Sequence, residues 1–495
     1  MTPDLLLGLD AGQTVIKAAV FDRDGAQLAV STAHTPTASR HARWQERDMD
    51  VLWTAAATAI GEVVGLVGAQ RIAAVGICGH GDGLHLVDER GEPVRAAVLA
   101  TDSRAHNYAE RLATSAGAAE LMTLTGQQVS AFSAGPLLSW LRDHEPDVLR
   151  RARWMLFAKD WIRYRLTGEI GTDFTDASST VFDIRARGWS PRALQLEGLA
   201  ELSHLLPPVG ASTEVIGAVL PGAAAATGLP TGTPVVRGAH DVDAAAAGMG
   251  AIADGATSVV MGTFSINQIV AGQPAVDPRW QARCFLTDDQ WLHMSTSPSS
   301  ASNLDWVLRE FGPLDAAGEP DPVAAGRLAF GTSARHAPPV FVPLLFGGPF
   351  GDQVEAGFTG LRGWHTRADV LRAVFEGIVF THRWHLDALA EQLPVRARPL
   401  RLGGGGSNSP AWSQLLADAT GLVVEVTDST QSGARGAALL AGVGVGSYRD
   451  LADATDAGTR VLRTHLPDSD RHGELSERYQ RYLAAVTALR SLAPS

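Results

Sequence analysis

Two widely separated stretches of this chain follow one plan, and that repetition constrains the fold more than any other feature. In "LLLGLDAGQTVIKAAVFDRDG", Leu5 to Gly25, an apolar strand reaches a tight polar turn carrying Asp10, Gly12, Gln13 and Thr14, and a second strand returns through Lys17. In "ATSVVMGTFSINQIVAG", Ala256 to Gly272, a β-branched strand reaches a small polar turn at Gly262 and Thr263, and again an apolar strand returns. Between them, "RIAAVGICGHG" reads as a strand and "DMDVLWTAAATAIGEVVGLVG" and "DSRAHNYAERLATS" as helices; "TPVVRGAHDVDAAAAGMGA" reads as a strand that turns into a helix. This alternation predicts an α/β protein of two similar lobes that face each other. Their boundary is expected near Gly250–Gly255, where "GAIADGA" separates the last of these helical patterns from the second hairpin. Residues 1–250 then form the first lobe and residues 251–495 the second.

A chain of 495 residues is longer than one hydrophobic core usually serves, which leaves room for a site buried between lobes. Its apolar fraction of 45% and charged fraction of 19% are those of an ordinary globular protein, and no run is expected to span a bilayer. The opening apolar residues Leu5–Leu7 meet Gly8 and Asp10 at once and lack a basic flank, so no secretory signal is read and the cytoplasm is the expected compartment. Cys78 and Cys284 cannot build a disulfide framework or a zinc cluster, and both are expected to be reduced core residues. A net charge of −12 without a basic tract disfavours nucleic acid. The expected partner is a small molecule, with a homodimer as the expected assembly if the chain self-associates.

A third glycine-rich element, "RLGGGGSNSPAWSQLLADATG" from Arg401 to Gly421, ends a strand in four glycines, after which Ser409 caps and Pro410 opens an amphipathic helix. It fits neither GxGxxG in a first βα unit nor GxxxxGK[ST], so dinucleotide-binding and Walker folds are poor readings. Taken alone, four glycines before a helix are equally an ordinary turn. Taken with the two hairpin turns, they offer spare backbone N–H groups that clamp a polyphosphate from both sides. Gly12 then lets the first turn close on a phosphate, Thr14 donates a hydroxyl hydrogen bond, and Asp10 holds magnesium through water. Lys17 either adds a point charge or covers the strand surface. Lys17 and Lys159 are the only lysines among 41 basic side chains, and both fall in stretches singled out on other grounds.

These elements, in this order, resemble the FGGY carbohydrate kinases, members of the superfamily that joins sugar kinases, heat-shock chaperones and actin. The resemblance covers nearly the whole chain. "GLDAGQTVIKAAVFD" is similar to the family's first phosphate motif, "VVMGTFS" to its second and "GGGGSNSPAWSQLLADATG" to its adenosine motif, with "SGARGAALLAG" following. "AGFTGLRGWHTRADVLRAVFE", Ala356 to Glu376, matches the C-terminal signature, and "FSAGPLLSWLRDHEP" matches its N-terminal counterpart in part, with Pro136 at the usual lysine position. The resemblance implies two ribonuclease H-like (actin-like ATPase) lobes with a central cleft, and ATP with Mg2+ as the phosphoryl source. It implies nucleotide binding by Gly12, Gln13, Thr14, Lys17, Gly262, Thr263, Gly404, Gly405, Gly406 and Asn408, with Asp10 and Asp241 at the metal. In "RGAHDVDAAAAGMG", Asp241 stands where the family has its catalytic base, the carboxylate that orients the acceptor hydroxyl and takes its proton. Asp243 competes for that role and is read as a cap or dipole partner of the helix.

By the same resemblance the first lobe binds the sugar. "GICGHGDGLHLVD" supplies His80, Gly81 and Asp82, "LATDSRA" supplies Asp102 and Arg104, and "FAKDWIRYRLTGEIGTDFTDASST" supplies Lys159, Asp160 and Asp176. Trp44 in "RWQERDMD" resembles a segment near the cleft mouth. D-Xylulose kinases usually carry Asn after the base and a Gln-Met-His-Gly run, where this chain has Val242 and Cys78-Gly79-His80-Gly81; the Arg-Glu pair of glycerol kinases is not found. The combined loops look most like the branch of L-xylulose (3-keto-L-gulonate) kinases, with erythritol and other polyol kinases, and then D-xylulose kinases, as alternatives. A chaperone-like ATPase expects a separate peptide-binding domain for which no residues are left over. A non-catalytic sugar sensor expects loss of Asp10 or Asp241.

Overall fold

The computed structural model of the chain describes residues 3–39, 41–331, 337–351, 354–428 and 431–492. It divides into two compact units. The first comprises Met1–Asp254, Gly272–Leu292 and Gln431–Thr459; the second comprises Gly255–Ala271, His293–Thr430 and Arg460–Ser495. The chain therefore leaves the first unit after Asp254 and returns to it twice.

The first unit is built on strands β1 (Leu5–Ala11), β2 (Val15–Phe21), β3 (Gln27–His34), β4 (Ile72–Gly79), β5 (Val215–Ala218), β6 (Pro234–Val236) and β7 (Ala239–His240). They form one mixed sheet in the order β5-β6-β4-β1-β2-β3, with β7 also on β4. Strand β1 is apolar almost without interruption because both its faces are covered, as central strands require. It runs antiparallel to β2 and parallel to β4, and the register places Asp10 opposite Lys17 on one side and Cys78 on the other. Strand β7 continues the row, with His240 opposite Gly79. The carboxyl ends of β1, β4 and β7 are thus side by side, the edge at which α/β sheets bind ligands.

Helix α1 (Met49–Val67) covers one face, started by Asp48, whose side chain accepts from the N–H of Asp50. Leu52, Ala56, Ile60, Val63 and Val64 bury against the sheet core. Among the described residues α1 is long and apolar enough to cross a membrane by length and composition alone, a test that the core helix of a folded unit also passes. Its apolar side is spent on β2 and β3.

The opposite face carries the helix Ser432–Gly444, which reaches the sheet backbone through glycines. A Cβ on Gly8 would lie 1.8 Å from the carbonyl oxygen of Ala434, and one on Gly76 1.9 Å from that of Ala437. The same helix crosses α3 (Asp241–Gly248) equally closely, with Gly436 against the Ala244 carbonyl oxygen and Gly248 against that of Ser432. Arg435 locks the crossing by donating from Nε and Nη2 to the Gly248 carbonyl at 2.9 and 2.6 Å. Leu84, Leu137, Leu141, Leu194 and their neighbours form a separate helical core in this unit, with Leu137 and Leu141 on helix α2 (Ala134–His144).

The second unit has strands β8 (Thr257–Met261), β9 (Ser265–Ala271), β10 (Trp291–Ser297), β11 (Leu400–Gly403), β12 (Val424–Thr427) and β13 (Val461–His465), in the order β10-β9-β8-β11-β12-β13. Helix α4 (Arg367–Ala390) starts at a capping box in which Thr366 and Asp369 satisfy each other's backbone N–H groups. Helix α5 (Pro410–Thr420) is capped by Ser409, which accepts from Trp412 N–H at 3.3 Å, with Pro410 in its first turn.

Candidate functional site

The edge formed by β1, β4 and β7 gathers most of the polar residues singled out in the first unit. Asp241 opens α3, and its Oδ1 lies 2.9 Å from Nδ1 of His240, which stands just before the helix. That nitrogen is also 3.5 Å from the Val242 N–H. The shorter contact requires a proton on Nδ1, so His240 donates to Asp241. Burial pushes the Asp241 carboxyl up, but the charge and hydrogen bond of His240, with His80 and Arg283, outweigh it and hold the carboxyl below its ordinary value. Asp241 is therefore ionised at neutral pH, with about a third of its side chain exposed, 32%. Asp10 behaves oppositely. Burial, reinforced by the Asp241 charge and opposed by Lys17 and the Cys78 thiol, raises it to about 7. The helix Ser432–Gly444 closes over it, since a Cβ on Gly433 would stand 2.7 Å from Asp10 Oδ2.

The loop that follows β4 is pressed onto these groups. A Cβ on Gly81 would lie 2.2 Å from Cδ2 of His240 and 2.3 Å from Oδ1 of Asp176, a spacing that only glycine permits. His80 is buried with the Asp82 backbone beside its ring, and burial lowers its pKa to about 4. Burial raises the Asp82 carboxyl while His240 and Arg283 pull it down. Asp243, also in the first turn of α3, does not cap the helix: both its oxygens are buried without a hydrogen bond among the described residues, and burial lifts it to about 7 against the pull of Arg283.

Lys159 is enclosed by carboxylates. It is wholly buried, and its ammonium sits 2.6 Å from Asp160, 3.0 Å from Asp173 and 2.9 Å from Asp176, with Arg163 adding a 2.9 Å contact to Asp160. All its donors face carboxylates, which raise its pKa despite burial. Asp102 and Arg104 are likewise engaged with the fold. Arg104 donates from Nε and Nη2 to Asp102 and from Nη2 to Glu46 at 2.8 Å, and its guanidinium stacks on Trp44 at 4.2 Å and Trp140 at 5.0 Å. Asp102 in turn accepts from the Gln45 N–H at 2.7 Å.

The first hairpin turn is held by Gln13, whose Nε2 donates to Thr101 at 2.6 Å and whose carbonyl accepts from Thr35 and Arg47. Gly12 is half-buried and Thr14 exposed. In the second unit, Gly404 adopts a φ of 81°, and a Cβ there would lie 2.7 Å from the Met261 carbonyl oxygen; one on Gly406 would lie 2.6 Å from the Met261 sulfur. The Gly404–Asn408 loop is thereby seated on the strand end that leads into Gly262 and Thr263. Thr263, Gly404, Gly405 and Asn408 are exposed.

Residues 5–248 match the N-terminal domain of the FGGY family of carbohydrate kinases, and residues 257–445 match its C-terminal domain. The chain belongs to the FGGY family of carbohydrate kinases. An Escherichia coli protein named L-xylulose/3-keto-L-gulonate kinase is 33% identical over 489 residues, covering 98% of this chain and 97% of its own. A Pasteurella multocida protein named probable L-xylulose kinase is 32% identical, covering 98% and 99%. Among solved structures, a xylulose kinase from Rhodospirillum rubrum superposes with a TM-score of 0.90 at 25% identity, covering 99% of both chains. The chain is a carbohydrate kinase with the family's two-domain α/β fold.

Four groups at this FGGY edge were not foreseen. His240 orients the carboxylate beside it, Arg283 arrives from the returning Gly272–Leu292 segment, Asp173 completes the cage around Lys159, and buried Arg47 holds the first turn. Only His240 carried a sequence signal, its adjacency to Asp241.

Proposed function

We propose that this kinase transfers the γ-phosphoryl group of ATP to a hydroxyl of a ketopentose of the L-xylulose type, with Asp241 as general base. The observation that carries the reading is the His240–Asp241 pair: a partly exposed carboxylate, kept ionised and fixed in direction at the carboxyl end of the sheet. An ionised Asp241 accepts the proton of the acceptor hydroxyl as the oxygen attacks phosphorus and the bond to ADP breaks. His80, Gly81 and Asp82 face the acceptor, and the linear run of hydroxyls on a ketose suits several convergent polar groups, each of which needs a partner once water is excluded. Asp102 and Arg104 frame that loop through Glu46 and Trp44. The names of the similar proteins from Escherichia coli and Pasteurella multocida support L-xylulose over D-xylulose and simple polyols.

Magnesium fits the residues present. Asp10 is a carboxylate raised by burial and then by the negative charge of Asp241, so a divalent cation beside it would relieve both causes. No group of three or more His, Cys, Asp or Glu that could hold a metal occurs among the described residues. A site of one or two carboxylates, completed by water and phosphate oxygens, is the kind Mg2+ uses. Bound there, it would neutralise charge on the transferring phosphoryl group. Gly12, Gln13, Thr14 and Lys17 are the residues that would meet phosphates. Gly262, Thr263, Gly404, Gly405, Gly406 and Asn408 are those that would hold the nucleotide. The free, buried thiols Cys78 and Cys284 support a cytoplasmic setting.

The test is a coupled ADP-release assay across ketopentoses, keto-acids and polyols, with Asp241→Asn alongside. L-Xylulose or a close relative should give the highest kcat/KM, and Asp241→Asn should lower kcat by ~10²–10⁴ with ATP binding retained. Near wild-type kcat in the variant removes Asp241 as base; preference for glycerol removes the branch.

A further inference from the structure

Arg47, His80 and His85 bring together buried polar nitrogens that the fold leaves mostly unsatisfied. Arg47 is 1% exposed, His80 7% and His85 0%. The Nε and Nη1 of Arg47 and both ring nitrogens of His85 have no hydrogen-bond partner among the described residues, and the His80 ring has only the backbone of Asp82 within reach. The two imidazoles are 6.2 Å apart between ring centroids, and the Arg47 charge depresses the protonation of both. Neighbouring Glu46 is turned away, onto Arg95 and Arg104. No carboxylate pairs with Arg47 among the described residues; its one partner is the carbonyl of Gln13 in the first hairpin turn. An unpaired buried guanidinium beside two mostly unsatisfied imidazoles opposes folding unless something else stands to gain from it.

We propose that Arg47, with His80 and His85 beside it, receives an anionic oxygen of the bound substrate pair. This rests on the kinase reading given above and names the chemistry of its acceptor side. Arg47 holds the turn of Gln13 and its charge acts on His80, so the oxygen has two sources: the carboxylate of an acidic sugar, or the phosphoryl group in transfer. Arg104 does not compete for it, because Asp102 and Glu46 already occupy its fork. A guanidinium without a counter-ion gains most from a carboxylate or phosphoryl oxygen, and the imidazoles add neutral donors that leave sugar hydroxyls recognisable.

The experiment compares the wild type with Arg47→Gln and Arg47→Lys, using a neutral ketopentose and a C6 keto-sugar acid as acceptors. It reads kcat, both KM values and the thermal midpoint. A loss in kcat/KM of about tenfold to a hundredfold for the acid alone in Arg47→Gln assigns the oxygen to the acceptor carboxylate. An equal loss in kcat for both acceptors, with the KM for ATP and the midpoint held, assigns it to the phosphoryl group. Arg47→Lys should recover part of either loss. Both kinetic parameters unchanged within about threefold, or a fall in activity that merely follows a lowered midpoint, overturns the proposal. Thermal shifts of the full chain with the keto-sugar acid and with inorganic phosphate give a reading independent of turnover. An Arg47-dependent shift in a protein that phosphorylates no sugar would keep the anion site while ending the kinase reading; turnover in the wild type with no Arg47-dependent effect does the reverse.

Discussion

Replacing Lys159 by glutamine separates two roles that sequence alone leaves together. The ammonium lies within 3.0 Å of Asp160, Asp173 and Asp176, none of them exposed, and Arg163 reaches only Asp160 of the three. Lys159→Gln therefore strands two buried carboxylates, and removing one partner of such a pair costs about 3–5 kcal/mol. In a unit this large each kcal/mol moves the midpoint by roughly 2 °C, so thermal unfolding should fall by about 6–10 °C. The deficit should also depend on pH in a fixed direction. Asp176 is raised already in the native protein, and without the cation Asp173 joins it; a folded carboxyl raised above its unfolded value makes the fold less stable as pH rises. The loss is thus larger at pH 8 than at pH 5, where the stranded groups take up protons. Scanning calorimetry at both pH values, with acceptor KM measured well below the transition, is the assay. A midpoint lowered by less than about 2 °C together with a tenfold rise in acceptor KM would refute the buried-centre role and return Lys159 to the sugar.

Two further outcomes follow from the same geometry. Gly81→Ala drives a methyl into His240 and Asp176, so it should destabilise by about 1–3 kcal/mol and lower kcat through the displaced His240, read by denaturant melts beside steady-state kinetics; wild-type kcat would show that the loop is free to move away. Burial raises Glu197 to about 8, with its Oε2 unpartnered, so native stability falls as pH climbs from 4.5 through 8; Glu197→Gln should match the wild type at pH 5 and melt several degrees higher at pH 9, and a constant difference across that range would contradict the shift.

Local rules made the two hairpins, the Ser409 cap, the Pro410 start and the entry of Asp241 into its helix legible in the sequence. Each depends on residues within a few positions of one another, where turn and capping chemistry act. The cage around Lys159 was legible in part: one stretch put Lys159, Asp160 and Asp176 forward as sugar contacts, but Asp173 arrives from a later turn and nothing in "FAKDWIRYR" announces it. Arg283 was missed for the same reason at greater separation, since it belongs to a segment that leaves the second half to rejoin the first unit. Arg104 drew attention as a charged residue in a polar loop, whereas Glu46, Asp102 and Trp44 had already claimed it.

The glycine contacts that seat the Ser432–Gly444 helix on β1, β4 and α3 have a consequence for how such an enzyme diversifies. Asp10 stands at the end of β1 and Asp241 at the start of α3, and both elements meet that one helix backbone to backbone, with no rotatable side chain between them. The distance between the two carboxylates is then a property of main-chain geometry, insensitive to repacking elsewhere. Loops that read the acceptor can drift through many sequences, and new sugars can be selected in the laboratory, while the reacting centre keeps its dimensions. The positions a mutagenesis library should leave untouched are accordingly Gly8, Gly76, Gly248, Gly433 and Gly436, residues with no functional group at all.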